Sequence, residues 1–262
     1  MIEFSNTPPI KNAKIFDSHA HYDDERFDGI LEELLPTLKE KGVDKIINCG
    51  CDFKTNEKSL KIAENFDFVY FAVGIHPGNI DSGTTISDIE NFAKHKKCVA
   101  IGEIGLDYYW VSDNKEKQKE IFIKQILLAK ELDLPVIVHD REAHQDTLEI
   151  LQKYKPKGVV HSFSGSVEMA EEILKLGMYL GIGGVITFKN AKKLPDVVQM
   201  LPMDRMLLET DAPYLTPVPF RSKTNHSEMI YLTARKIAEI KGKSVEEILN
   251  CTYENAKNLF AL

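Results

Sequence analysis

Val136-Ile137-Val138-His139-Asp140-Arg141 reads as a strand that ends on chemistry. Three β-branched residues in a row favour extended backbone buried on both faces. An imidazole comes next, then a carboxylate and a guanidinium. The same pattern recurs elsewhere in the chain. Gly158-Val159-Val160 runs into His161, Leu207-Leu208-Glu209-Thr210 into Asp211, and Cys98-Val99-Ala100-Ile101-Gly102 into Glu103. The first such run, from Lys14 to Ser18, opens onto His19-Ala20-His21. Residues i and i+2 of a strand share a side, so His19 and His21 can meet one ion.

Eight apolar runs of this kind can be placed: 14–18, 43–49, 68–74, 98–102, 135–138, 158–160, 178–183 and 206–209. Helical patterns lie between them. Ile30, Leu31, Leu34, Leu35 and Leu38 mark one buried face, and Ile121, Phe122, Gln125, Ile126 and Ala129 a second, mostly apolar one. Ala170, Ile173, Leu174 and Gly177 suggest a third, and a last helix closes on Leu259 and Phe260. Strand and helix in alternation specify α/β architecture with a parallel sheet. Eight repeats within 262 residues predict a (β/α)8 TIM barrel as one domain spanning 1–262. A doubly wound open sheet is the competing arrangement. It gathers ligands at one crevice, whereas here the polar residues end many different strands.

Composition bounds the function. The chain is 43% hydrophobic and 28% charged, ordinary for a globular domain. Its four cysteines, Cys49, Cys51, Cys98 and Cys251, form no CxxC pair and read as reduced thiols. Cys49 and Cys51 could hold a metal, but strand-end packing is the simpler role. The start, MIEFSNTPPIKNAK, lacks a signal-peptide profile, and no apolar run is long enough to span a membrane. The expectation is a cytoplasmic protein, compatible with a monomer. A net charge of −7 argues against non-specific coating of nucleic acid, but not against local grip on one strand.

Strand ends of a barrel converge on its catalytic face. Four imidazoles and two carboxylates there make an N/O ligand set for zinc, manganese, nickel, iron or magnesium. Any one of these histidines alone would be a satisfied core histidine; six ligand-type residues at matching positions call for a metal centre. Many barrel hydrolases carry a carboxylated lysine at the end of the fourth strand. Glu103 stands there instead and already offers two oxygens.

The ordered motifs Asp17-Ser18-His19-Ala20-His21, Val73-Gly74-Ile75-His76-Pro77, Gly102-Glu103-Ile104-Gly105-Leu106-Asp107-Tyr108, Pro135-Val136-Ile137-Val138-His139, His161-Ser162-Phe163-Ser164-Gly165 and Leu208-Glu209-Thr210-Asp211-Ala212-Pro213 resemble the TatD family of metal-dependent deoxyribonucleases. The resemblance runs from about Ile15 to Phe260. It implies an amidohydrolase-like barrel that hydrolyses DNA phosphodiesters, as an exonuclease on single-stranded ends, with two divalent ions (Mg, Mn, Zn or Ni). His19 and His21 would hold one ion, His139 and His161 the other, and Glu103 would bridge them. Asp211 would bind metal and take the proton of the attacking water, making Glu103 and Asp211 the catalytic pair.

Other residues are candidates for substrate. Arg141, Arg221 and Lys223 lie on loops where a backbone phosphate could be met. His76 could orient substrate or support a ligand. Tyr108, Tyr109 and Trp110 could stack on unpaired bases or pack a loop. His95, His144 and His226 receive no role. One departure stands out: relatives usually read Arg-Gly-Lys-x-Asn-x-Pro after the eighth strand, and here Ser222 and Ser227 replace the Gly and Pro. Two other functions fit the same residues. One is an ester or amide hydrolase, such as an aminoacyl-tRNA deacylase. The other is a non-catalytic module that kept the barrel, against which the intact ligand set argues.

Overall fold

The computed structural model describes residues 2–4 and 13–262, so most of the N-terminal stretch read above for a signal profile lies outside the described residues. Eight strands form one sheet in the order of the chain: β1 (Ile15–Ala20), β2 (Val43–Cys49), β3 (Val69–Val73), β4 (Cys98–Asp107), β5 (Val136–Arg141), β6 (Gly158–Val160), β7 (Tyr179–Ile182) and β8 (Met206–Leu208). Every neighbouring pair is parallel. The helices are α1 (Leu31–Glu40), α2 (Phe53–Asn65), α3 (Ile86–Ala93), α4 (Lys115–Glu131), α5 (His144–Tyr154), α6 (Val167–Lys175), α7 (Leu194–Met200), α8 (Ile230–Lys241) and α9 (Val245–Phe260). This is the TIM barrel that the alternation predicts. No described helix is long and apolar enough to cross a membrane.

The seam between β1 and β8 closes through polar groups. His21 N donates to Ala212 O at 2.7 Å and Asp211 N to His19 O at 3.0 Å. Ser18 Oγ donates to Leu208 O at 2.9 Å. Behind them, buried Asp17 accepts from Thr210 N at 3.0 Å, Thr210 Oγ1 at 2.6 Å and Ser227 Oγ at 2.7 Å. Burial pushes the Asp17 carboxyl up to about 7, against these hydrogen bonds. Ser227, one of the two departures from the usual loop, is thus a strut of the seam.

Two buried clusters separate inside from outside. Phe16, Ile47, Ala72, Ala100, Ile137, Val159 and Leu207 fill the barrel, and Ala256 and Phe260 of α9 plug its lower end. Ile15, Ile46, Phe71, Ile101, Ile104, Val136 and Val138 pack outward under the helices. On β5 the alternation is regular, so His139 continues the inward face of Ile137.

On β1 and β4 it is not regular. β1 gains one residue against β2 between Asp17 and Ala20, and β4 gains one against β5 between Ile101 and Ile104. Each bulge reverses the parity of the residues beyond it. Ile101 and Ile104 both face outward, three residues apart, which turns Glu103 inward. Ile15 and Ala20 likewise both face outward, which turns His19 and His21 inward. Glu103 therefore sits within a ten-residue strand rather than at the strand end expected from the apolar run.

Phe260 is 4% exposed within the interior cluster. Phe260→Ala should cost about 3 kcal/mol of stability, read as a lower midpoint in urea with circular dichroism. A loss within error would show that α9 does not plug the barrel.

Candidate metal centre

Glu103 lies at the centre, buried to 3% exposure, with one carboxylate oxygen on each of two groups of imidazoles. Its Oε2 is 3.4 Å from His19 Nε2 and 3.4 Å from His21 Nε2. Asp211 Oδ1 lies 3.6 and 3.4 Å from the same two nitrogens. On the other side, Glu103 Oε1 is 2.7 Å from His139 Nδ1 and 2.8 Å from His161 Nε2. These two nitrogens are 3.3 Å apart. The structure thus brings together all six residues expected as ligands.

Their protonation fits a cation. His21 Nδ1 donates to Cys49 O at 2.8 Å, which leaves a lone pair on Nε2. That lone pair faces His19 Nε2 at only 3.0 Å. Four N/O ligands held about 2.0–2.1 Å from one zinc ion stand about 3.4 Å from each other, close to the spacings of the His19–His21–Asp211–Glu103 set. On the second side, His139 Nε2 points at Asp107 Oδ2 at 3.3 Å. With that proton on Nε2, His139 Nδ1 meets the Glu103 carboxylate either through a second proton or through a cation between them. Facing lone pairs repel unless a proton or a cation lies between them, and the ligand set suits a divalent metal.

The charges agree. Burial alone would raise the Glu103 carboxyl, but His161, His76, His19 and the hydrogen bond to His139 hold it well below the carboxylate range. Burial also opposes ionisation of Asp211, and the contact with His21 and the neighbouring imidazoles overcome it. Burial, then the nearby His161, pushes His19 down. Burial opposes charge on His21, His139 and His161, yet the acidic groups facing them push all three up, so a metal ion there would take the place of their protons.

His76 plays a different part. Its Nδ1 accepts from Gly78 N at 3.0 Å, so its proton sits on Nε2, 3.6 Å from Glu103 Oε1. Burial and neighbouring imidazoles push its pKa to about 3, so it stays neutral. A neutral ring with its N–H aimed at the centre is a donor for a carboxylate or a substrate oxygen.

A supporting layer escaped the sequence reading. Asp107 orients His139 and accepts from Tyr109 N and Trp110 N, both at 2.9 Å. Glu209, 1% exposed, accepts from Ser162 N at 2.5 Å and stands 3.6 Å from His161 Nδ1. Gly181 makes room for it, since a Cβ there would lie 2.2 Å from Glu209 Oε2. Two buried glutamines of α4 clamp the loops. Gln118 exchanges hydrogen bonds with the backbone of Asp107 at 2.9 and 3.1 Å, and Gln125 with that of Ile75 at 2.7 and 3.1 Å. Seven residues apart, they share a helix face. Gln125 was visible as the polar break in an apolar stripe, a signal for such a clamp.

The remaining candidates separate. Arg141 ends β5 at the mouth of the centre, its guanidinium 4.6 Å from the Tyr109 ring centroid and 5.9 Å from that of Trp110. Tyr108 is tied down by its hydroxyl, which donates to Asp146 at 2.6 Å. Arg221 and Lys223 are not brought to the centre. Arg221 stacks 3.7 Å above the Phe188 ring and donates to Thr216 O at 3.0 Å, while Lys223 pairs with Glu3 at 2.7 Å. Both cations find partners inside the fold, which spacing along the chain could not reveal. Cys49 packs in the barrel interior, whereas Cys51 Sγ borders the centre at 3.9 Å from Glu103 Oε2.

Residues 16–261 match the family model described as TatD related DNase. The chain is 44% identical over 253 residues to the metal-dependent hydrolase YabD of Bacillus subtilis, covering 95% of this chain and 99% of that one. It is 37% identical over 252 residues to YcfH of Escherichia coli K12, also described as a metal-dependent hydrolase, covering 94% and 95%. The crystal structure of YjjV, a TatD homologue from Escherichia coli K12, superposes with a TM-score of 0.90 at 33% identity, covering 96% of this chain and all of that one.

Glu103→Gln should cut bound metal, because among the described residues only this carboxylate touches both groups. Asp107→Asn should weaken metal binding by about 10–100-fold without unfolding the barrel. Metal content after dialysis, with circular dichroism as control, reads both. Full metal retention in either variant would refute that role.

Proposed function

The chain belongs to the TatD family of metal-dependent hydrolases, and from that premise we propose that it hydrolyses phosphodiester bonds of DNA, as an exonuclease on single-stranded ends. The observation that carries this reading is one buried carboxylate shared by two ligand groups, at the foot of a cleft edged by a guanidinium on exposed aromatic rings. His19, His21 and Asp211 would hold one divalent ion, His139 and His161 the other, with Glu103 between them. Such ions, when bound, supply an acidified water and charge neutralisation at the phosphoryl oxygens.

The protein's own groups do the rest. Asp211 is the base. Its backbone has a φ of +57°, a left-handed turn held by the hydrogen bond to His19 O, and this aims the carboxylate back at the histidines. It takes the proton of the attacking water. His76 Nε2–H and the Arg141 guanidinium donate to phosphate oxygens and orient the scissile group. Tyr109 and Trp110, with Trp110 72% exposed, offer faces to an unpaired base. The backbone N–H groups of Tyr109 and Trp110 are spent on Asp107, so those rings are held by the same residue that orients a ligand.

Product analysis on single-stranded DNA, ester and amide substrates, with several added divalent metals, tests the reading. Metal-dependent release of mononucleotides is the expected result. Cleavage of esters or amides with DNA left intact would sink it and favour an aminoacyl-ester hydrolase. Asp211→Asn should lower kcat by about 10²–10⁴-fold.

A further inference from the structure

Two cavities open from the metal centre, and their chemistry differs. The first, about 620 Å³, is bordered by Asp23, Asp24, Glu25 and Asp52, by the cations Lys54, Lys58 and Arg141, and by the aromatic rings of Trp110 and Tyr214. The second, about 490 Å³, shares His139, His161 and Asp211 with the centre and runs out to Arg141, Asn190, Lys192 and Lys193. Ser162 and Ser164 line its wall, and neither hydroxyl has a hydrogen-bond partner among the described residues.

The lysines are unspent. Lys192 and Lys193 are exposed and have no carboxylate within 4.0 Å among the described residues. The acids on this side are Asp140, Glu142 and the exposed Glu168 of α6, which faces Lys193. Asp140 accepts from His144 at 2.6 Å and Thr147 at 3.2 Å, while Glu142 is exposed beside His144. In a chain of net charge −7, unpaired cations beside a metal centre define a local field opposite to the average.

The loop that carries them is fastened. Thr187 Oγ1 donates to Gly184 O at 2.7 Å and accepts from Val218 N at 2.9 Å. Arg221 covers the ring of Phe188, next to Lys189. The guanidinium expected to grip phosphate therefore anchors the segment that presents the lysines instead.

We infer that the cavity lined by Arg141, Asn190, Lys192 and Lys193 is a second phosphate subsite, which binds the backbone phosphate of the nucleotide next to the scissile bond. The inference rests on the DNA-hydrolase reading and gives the cleft a direction. The strand's continuing, phosphate-bearing part lies on the lysine side. A single nucleoside, with a base to stack, lies on the side of the aromatic rings of Trp110 and Tyr214. Substrates with a second phosphate on the lysine side are bound more tightly than those with only the scissile one.

Lys192→Ala/Lys193→Ala in the metal-loaded enzyme tests it, beside Lys236→Ala/Lys243→Ala as a control of equal charge change on α8 and the following turn. For a short oligothymidylate, the KM should rise about tenfold with kcat nearly unchanged, and the salt dependence of binding should weaken. Thymidine p-nitrophenyl phosphodiester, which has no second phosphate, should be hydrolysed as before. The inference is overturned if oligothymidylate is unaffected, if the control variant loses as much, or if the small diester loses equally. Binding of a fluorescein-labelled oligothymidylate separates the two claims. A parent protein that binds it through these lysines but cleaves no phosphodiester supports the subsite and refutes the DNA-hydrolase reading. A parent that neither binds nor cleaves it refutes both.

Discussion

A strand admits side chains to one face at every second residue, and β1 and β4 each break that rule once. The metal centre depends on these two breaks. With strict alternation from Ile101, Glu103 would face the helices, and the imidazoles would have no shared carboxylate. The same bulge logic on β1 converts an outward pair, continuing from Ile15, into the inward pair His19 and His21. Burying ionisable groups costs free energy unless they are paired. Here each is paired, either with a seam hydrogen bond or with the crowded lone pairs that a cation would satisfy.

The strand ends were legible because chemistry interrupts apolar runs there. His139 comes after Val138 and His161 after Val160 with no irregularity, so their inward direction is set by period two alone. Glu103 was legible as a ligand but not in its placement, because a bulge leaves no mark in composition. The apolar run stops at Gly102, whereas backbone pairing continues to Asp107. Gly105, with φ of +147° and no room for a Cβ against His139 O, is the residue that lets β4 and β5 stay paired there. Arg221 and Lys223 show the converse. Their type suits phosphate, but whether a cation is free depends on contacts far along the chain, at Phe188 and Glu3.

Rigid support and open access are divided between the two ends of each loop. Gln118 and Gln125 hold the backbones of Asp107 and Ile75 from outside the barrel, through both N–H and C=O. Each amide satisfies two buried backbone groups that a longer loop would have left to water. The residues just beyond, Tyr109, Trp110 and His76, are thereby fixed at their bases, with the two aromatic rings exposed and His76 Nε2 turned to the centre. A catalytic constellation gains from this arrangement, since reacting groups are held while the substrate face remains exposed.

The charge distribution has its origin in the same geometry. Asp23, Asp24, Glu25, Asp52, Lys54 and Lys58 lie just past β1 and β2, and Lys192 and Lys193 past β7, two strands from β1 across the seam, so the two groups reach the centre from different sectors of the ring. A net-negative chain can bind a polyanion only where its own field is locally inverted. Metal ions at the centre would invert it there, and the lysine loop extends that inversion towards Lys192 and Lys193. A strand lying across the centre would set its phosphates towards Lys192 and Lys193 and a base towards the rings of Trp110 and Tyr214. Its direction would then rest on stacking at one end and on charge at the other.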